Sequence, residues 1–260
     1  MTDYGISILA VIPIRALPSD KSEMVTQLLF GETYKVLDNK GKWFLIQADY
    51  DGYEGWIDTA QHAAISESAW NNYNKATHYH LSKPINAIKT NENKALMVGF
   101  GSTFCREINT IFPKLGLDFP DSDLIEFPPQ FDADKMTAYA KMWLGSTYLW
   151  GGKSVFGVDC SGFTQLCAKL AGYQLLRDAS QQATQGQIVD FLQETQAGDL
   201  AFFDNEEGNI THVGIVLDEQ KIIHASGKVR IDSIDHQGIY NADIQKYTHK
   251  LRFFRRLKLG

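Results

Sequence analysis

Tyr148-Leu-Trp-Gly-Gly-Lys-Ser-Val-Phe-Gly-Val-Asp-Cys160-Ser-Gly-Phe163 places one cysteine, flanked by Asp159 and Ser161, between a glycine-rich run and a helical pattern. Beyond Cys160 the apolar residues Phe163, Leu166, Cys167 and Leu170 recur at three- and four-residue steps, which predicts a helix starting near the cysteine and burying that stripe. A thiol at a helix N-terminus faces unpaired backbone N–H groups and the positive end of the macrodipole, and both favour thiolate. The glycines before it are read as clearing space around the sulfur. Cys105 and Cys167 lack such a setting and are read as small core residues.

A nucleophilic cysteine requires a base. Thr211-His212-Val-Gly-Ile-Val-Leu217 alternates as a strand, Lys221-Ile-Ile-His224-Ala-Ser226 reads as a second, and Asp218-Glu-Gln-Lys221 has the composition of a hairpin turn. Antiparallel pairing across that turn brings His212 and His224 together at one end of a sheet. One imidazole then serves Cys160 as base and the other orients it, the nucleophile–base–orienter logic with Cys, His and His. His62, His78, His80, His236 and His249 are read as surface or structural.

Tyr148-x-Trp-Gly-Gly, Asp159-Cys-Ser-Gly-Phe, Arg177-Asp-x-Ser-Gln181, Gly198-Asp-Leu-x-Phe-Phe203, His212-Val-Gly-Ile and Ile223-His-Ala-Ser226 together resemble an NlpC/P60 cysteine peptidase domain over roughly residues 128–260. The resemblance implies an α+β, papain-like fold with Cys160 as nucleophile, His212 as base and His224 as the third member. It also places Tyr148 beside the cysteine, as a hydrogen-bond donor at or near the oxyanion.

The first sixty residues read as all-β. Strand-like runs Ile6–Ile14, Thr33–Leu37 and Trp43–Ala48 are separated by turn-forming stretches, and the glycine-rich, aromatic Asp51–Ile57 closes the segment. Arg15-x-x-Pro-Ser, Leu29-Phe-Gly-Glu32, Lys42-Trp43-Phe and Gly52-Tyr-x-Gly-Trp56 resemble a bacterial SH3-like domain, a common companion of NlpC/P60 domains. Trp56 is read as barrel packing. The domains expected are 1–62 (SH3-like), 63–127 (a second, diverged SH3-like unit or a linker) and 128–260 (catalytic). Within 63–127, Ala69–Tyr79 is weakly helical, Pro84–Thr90 and Ala95–Phe100 look like strands, and Pro113 and Pro120 punctuate the remainder. After Pro128-Pro129, Asp132 or Asp134 can cap a helix whose apolar face is Met136, Tyr139, Ala140 and Trp143.

The composition narrows the function classes. The chain has 260 residues, 44% of them hydrophobic, enough for two or three small domains, and its net charge of −6 argues against nucleic-acid or anionic-membrane surfaces. Three cysteines without framework spacing suggest no disulfide scaffold. With no CxxC pair or Cys/His cluster of zinc spacing, neither a metal nor another cofactor is expected. Nothing in the sequence speaks to self-association. The N-terminus carries Asp3 and no Lys or Arg before the apolar run, which Pro13 interrupts, unlike a secretory leader, so the expectation is a cytoplasmic protein.

The family hydrolyses amides of bacterial cell-wall peptides, commonly the γ-D-glutamyl bond to a diamino acid. Asp159 beside the nucleophile disfavours thiolate if it faces the sulfur, so it is expected to turn away and pair with an ammonium. In relatives with SH3-like modules the matching Asp and Ser help recognise a free peptide N-terminus. By that resemblance Asp159 and Ser161, with Ser180 nearby, bind the L-Ala amine of L-Ala-γ-D-Glu-diamino acid (diaminopimelate or lysine). The bland alternative is that Asp159 only caps the Cys160 helix. The wall that blocks longer chains is expected from the SH3-like domain, with Glu23 or Glu32 and Tyr53 as candidates. The expected function is recycling of small murein peptides. The alternatives are a secreted or broader-specificity wall hydrolase and a catalytically silent wall-binding module.

Overall fold

Ile12 and Ile14 turn inward along Val11–Arg15 while their neighbours are only half-buried, and this alternation lays down the first sheet of the computed structural model. Residues 3–81, 83–90, 92, 94–111, 116–118, 124–218 and 220–258 are described. Pro113, Pro120 and Glu219 of the expected hairpin turn lie outside them.

The chain divides into two compact units: residues 1–127 with 150–155, and residues 128–149 with 156–260. In the first, seven antiparallel strands run in the order Met24–Leu29, Val11–Arg15, Glu54–Asp58, Trp43–Ala48, Thr33–Lys40, Asp3–Ile6, Ala63–Ile65. Ile12, Ile14, Leu28, Tyr34, Ile46, Ala48 and Ile57 form the core they enclose. The single run expected over Ile6–Ile14 is two strands: the Ser7 N–H still bonds the Glu32 carbonyl in register, but the Ser7 hydroxyl bonds the Leu9 carbonyl and the chain bends at Leu9 and Ala10. Trp56 is buried, as packing requires.

Residues 63–127 contribute the Ser66-capped helix Glu67–Lys75, the hairpin Ile85–Lys89 with Ala95–Gly99, and the pair Tyr79–Leu81 with Leu124–Glu126. Their core of Tyr73, Leu81, Ile88, Val98, Phe104, Cys105, Ile108 and Leu117 also takes in Ile6 and Phe30. This region therefore closes over apolar side chains of the first strands instead of standing as a separate body.

Residues 150–155 are fixed within the first unit by a buried ion pair. Lys153 Nζ lies 3.1 and 3.2 Å from the Glu32 carboxylate oxygens, and both side chains are 3% exposed. Gly151 (φ +72°) packs so tightly that a Cβ would lie 2.1 Å from the Met24 carbonyl oxygen. That glycine serves close backbone approach to the strand Met24–Leu29, which differs from the expectation that it clears room at the cysteine.

In the second unit, Asp132 caps the helix Ala133–Lys141 by accepting from the Lys135 N–H, which decides between Asp132 and Asp134. The helix Cys160–Leu170 is buried along its whole length, because it packs on Ala133–Lys141 on one side and on Ile210–Asp218 and Lys221–Ser226 on the other. The sheet is antiparallel in the order Gln187–Val189, Lys246–Arg256, Leu200–Asp204, Ile210–Asp218, Lys221–Ser226, Lys228–Ile234, Gly238–Asn241. A further pairing of Gly238–Asn241 with Lys246–Arg256 closes six of these strands into a barrel. Among the described residues no helix is long and apolar enough to cross a membrane.

Candidate active site

Cys160 is the first residue of its helix, and Asp159 is the N-cap, accepting from the Gly162 N–H at 2.7 Å. Cys160 is 7% exposed. Burial, then the Asp159 charge, pushes its thiol up to about 12, while the Val213 and Ser161 N–H groups and Arg177 work the other way. In the resting site the cost of burying a thiolate thus outweighs the help of the helix start, contrary to the sequence expectation. Tyr148 forms a parallel bridge with Val158, and the Leu149 N–H bonds the Val158 carbonyl, so the tyrosine is carried next to the helix start. Burial, then the charges of Cys160 and Asp159, raise its hydroxyl to about 12, which keeps it protonated and a donor.

Asp159 does turn to a cation, and the cation is Arg177. The guanidinium, 1% exposed, donates from Nη1 to Oδ1 at 3.0 Å and from Nη2 to Oδ2 at 2.7 Å, and also to the Ser161 hydroxyl at 2.8 Å. Capping and ion pairing therefore both engage the carboxylate expected to meet a substrate amine. Ser161 is buried in the same network, whereas Ser180 is exposed on the short helix Ala179–Gln182. The guanidinium, missed from sequence as a partner for Asp159, sits in the Arg177-Asp-x-Ser-Gln181 block that signalled it.

The two histidines meet across adjacent antiparallel strands in which Ile215 pairs Ile223 and Val216 pairs Ile222. Gly214 permits this approach, since a Cβ there would lie 2.7 Å from Ile222 Cδ1 and 2.9 Å from His224 Cβ. His212 Nε2 and His224 Nδ1 are 2.8 Å apart, and His224 Nε2 is 2.9 Å from Asp232 Oδ2. Asp232 in turn accepts from Arg230 Nε at 2.6 Å and Nη2 at 2.8 Å. Burial, followed by the charges of His249 and His224, holds His212 well below the usual histidine range, so it rests neutral and able to accept a proton.

Two participants were invisible in the sequence. Asp232 lies on the next strand, where period-two alternation puts Arg230 and Asp232 on the face of His224, Arg230 being its direct register partner. His249, read as surface or structural, stacks on His212 with ring centroids 4.0 Å apart and planes 25° apart. Nitrogens of His212, His224 and His249 lie within 4.8 Å of one another, a set that can hold a metal ion.

In the first unit, Glu23 Oε1 accepts from Trp150 Nε1 at 2.5 Å and Tyr53 is half-buried. Glu32, the other acid considered, is committed to Lys153.

Known proteins match these features. The NlpC/P60 family model covers residues 145–248, and that of the bacterial dipeptidyl-peptidase Sh3 domain covers 14–61. A gamma-D-glutamyl-L-lysine dipeptidyl-peptidase of Bacillus subtilis (strain 168) is 34% identical over 227 residues, 77% of this chain and 71% of that protein. One of the same name from Bacillus cereus (strain ATCC 10987 / NRS 248) is 29% identical over 239 residues, covering 80% and 68%. The crystal structure of an NlpC/P60 family protein from Bacillus cereus ATCC 10987 superposes with a TM-score of 0.82 at 22% identity, over 98% of this chain and all of that one.

Proposed function

Because the chain belongs to the NlpC/P60 family of cysteine peptidases and carries a bacterial SH3-like domain, we propose that it hydrolyses the γ-D-glutamyl bond to a diamino acid in murein peptides with a free N-terminal L-Ala. The observation that carries the chemistry is the 2.8 Å contact of His212 with His224 on strands packed against the helix that Cys160 begins.

Cys160 is the nucleophile in this reading. His212 takes the thiol proton as Sγ attacks the γ-glutamyl carbonyl, and returns it to the leaving amine of the diamino acid. Water, activated by the same imidazole, then releases the acyl group from the sulfur. Tyr148 donates to the developing oxyanion, a role its raised pKa supports. His224 orients His212. The activity for which the Bacillus relatives are named supports the bond and makes L-lysine one candidate for the diamino acid, beside diaminopimelate.

Free-amine recognition is assigned, within the catalytic unit, to Ser180 together with Asp159 and Ser161, which meet the amine through the network that Arg177 holds. The setting proposed for this activity is recycling of small murein peptides in the cytoplasm; cell fractionation checks the location. Incubation with L-Ala-γ-D-Glu-meso-diaminopimelate and its N-acetylated form, read by mass spectrometry, tests the function. Release of L-Ala-D-Glu from the free peptide alone is expected, with none from Cys160→Ala. Equal cleavage of both peptides would favour the broader wall hydrolase, and no cleavage by the wild type would favour a silent wall-binding module.

A further inference from the structure

We propose that Asp232 is a positioning residue that fixes the tautomers of both site histidines, leaving the lone pair of His212 on Nδ1. This rests on the reading of His212 as the base of a cysteine peptidase. Asp232 faces Arg230 through two hydrogen bonds, and Arg230 Nη2 also lies 2.9 Å from Asp243 Oδ2. A carboxylate in that setting is ionised and can only accept. The 2.9 Å contact to His224 Nε2 therefore places a proton on Nε2.

Arg230 holds both oxygens of Asp232 while its other partner, Asp243, stands 72% exposed to water, and the His224 ring is 1% exposed, so nothing in the pair calls for a buried imidazolium. A neutral His224 protonated at Nε2 has its lone pair on Nδ1. The 2.8 Å contact between His224 Nδ1 and His212 Nε2 then requires His212 to donate from Nε2. What remains on His212 is the Nδ1 lone pair, the one atom of that ring able to take a proton. Which ring nitrogen serves as the base is thus decided two residues away, on the strand Lys228–Ile234.

If the carboxylate is removed, the direct cross-strand partner of His224 on that face is Arg230, whose guanidinium has donors only. Arg230 would then favour a lone pair on His224 Nε2 and a proton on Nδ1. His212 would become an acceptor at Nε2 and carry its proton on Nδ1, where it is useless as a base. A wrong tautomer of this kind costs a serine peptidase about 10⁴-fold in kcat, which sets the scale here.

The test is nitrogen-15 NMR of the histidine rings together with kinetics of Asp232→Ala. In the wild type, both His212 and His224 are expected as Nε2–H tautomers, and in Asp232→Ala both as Nδ1–H. kcat is expected to fall by about 10²- to 10⁴-fold with KM changed less than about threefold. A wild-type His212 protonated at Nδ1 would overturn the proposal without any variant, and so covers the case in which Asp232→Ala does not fold. So would an Asp232→Ala enzyme with wild-type tautomers and kcat. Cleavage that persists in Cys160→Ala would instead remove the peptidase reading, while the tautomer measurement would stand or fall independently.

Discussion

Arg177 holds Asp159 through two parallel hydrogen bonds of 3.0 and 2.7 Å, one residue before the cysteine that opens the helix. The pair is almost wholly withdrawn from water, with side chains 1% and 10% exposed. It eases the conflict of an acid beside a nucleophile without removing it, because the guanidinium opposes part of the Asp159 charge at the sulfur. Removing one member leaves the other buried and uncompensated, which typically costs about 3–5 kcal/mol. Arg177→Met is expected to lower Tm sharply in a thermal melt, and the double variant Arg177→Met/Asp159→Asn to recover part of the loss. A single variant with unchanged Tm would mean that the ion pair contributes nothing to the fold.

The pH profile follows from the direction of the His212 shift. The base must be neutral, and burial holds its pKa well below the usual 6.5. Activity is therefore lost only when pH falls through that lowered value, so the acid limb of kcat/KM is expected below pH 6.5. Cys160 and Tyr148, both raised to about 12, introduce no limb near neutrality. An acid limb at or above 6.5 in the free enzyme would contradict this assignment of charge states.

Stability carries the same sign. His249 is lowered to about 4 by burial and by His224, and His62 is lowered by burial. Between the unfolded value near 6.5 and these folded values the unfolded chain binds more protons. The stability contributed by keeping these rings neutral is present above pH 6.5 and is lost as pH falls toward 4. Urea melts at pH 7.5 and 5 should show a lower midpoint at pH 5, and an unchanged midpoint would show that other groups compensate.

The sequence made legible those parts of the site that local pattern controls. Cys160 announces itself through the start of a helical stripe, and His212 and His224 through alternation on two strands joined by a short turn. Asp232 and His249 depend on register. Asp232 reaches His224 only because Ile222 pairs Asp232 on the next strand, and His249 reaches His212 only because Lys246–Arg256 curls back beside Leu200–Asp204. No spacing in the sequence encodes either meeting. Residues 63–127 resisted for a similar reason: their core borrows Ile6 and Phe30 from strands far upstream, so their own hydrophobic pattern is incomplete.

Gly214 offers a test of strand approach that leaves every polar group of the site in place. A methyl group there would overlap Ile222 Cδ1 at 2.7 Å and His224 Cβ at 2.9 Å, so the two strands must separate locally. Overpacking of this kind typically costs about 1–3 kcal/mol. Gly214→Ala is expected to fold with a modestly lower Tm yet lose most of kcat, because the His212–His224 contact lengthens. Full activity with an unaltered melt would show that the strands accommodate the methyl group elsewhere.

His249 acts on His212 in two separable ways, as a flat surface that holds the ring and as a neighbour whose charge depresses its pKa. Phenylalanine preserves the first and abolishes the second, whereas alanine abolishes both. His249→Phe is therefore expected to keep kcat within about threefold while the acid limb moves to higher pH, since a source of positive charge beside the base is gone. His249→Ala should show the same upward movement and a further drop in kcat, because the His212 ring is freed to tilt. Measuring kcat/KM against pH for both variants separates the two effects. Identical kcat in the pair would show that the stack does not orient the base, and an acid limb that stays put in both would show that the neighbouring charge does not tune it.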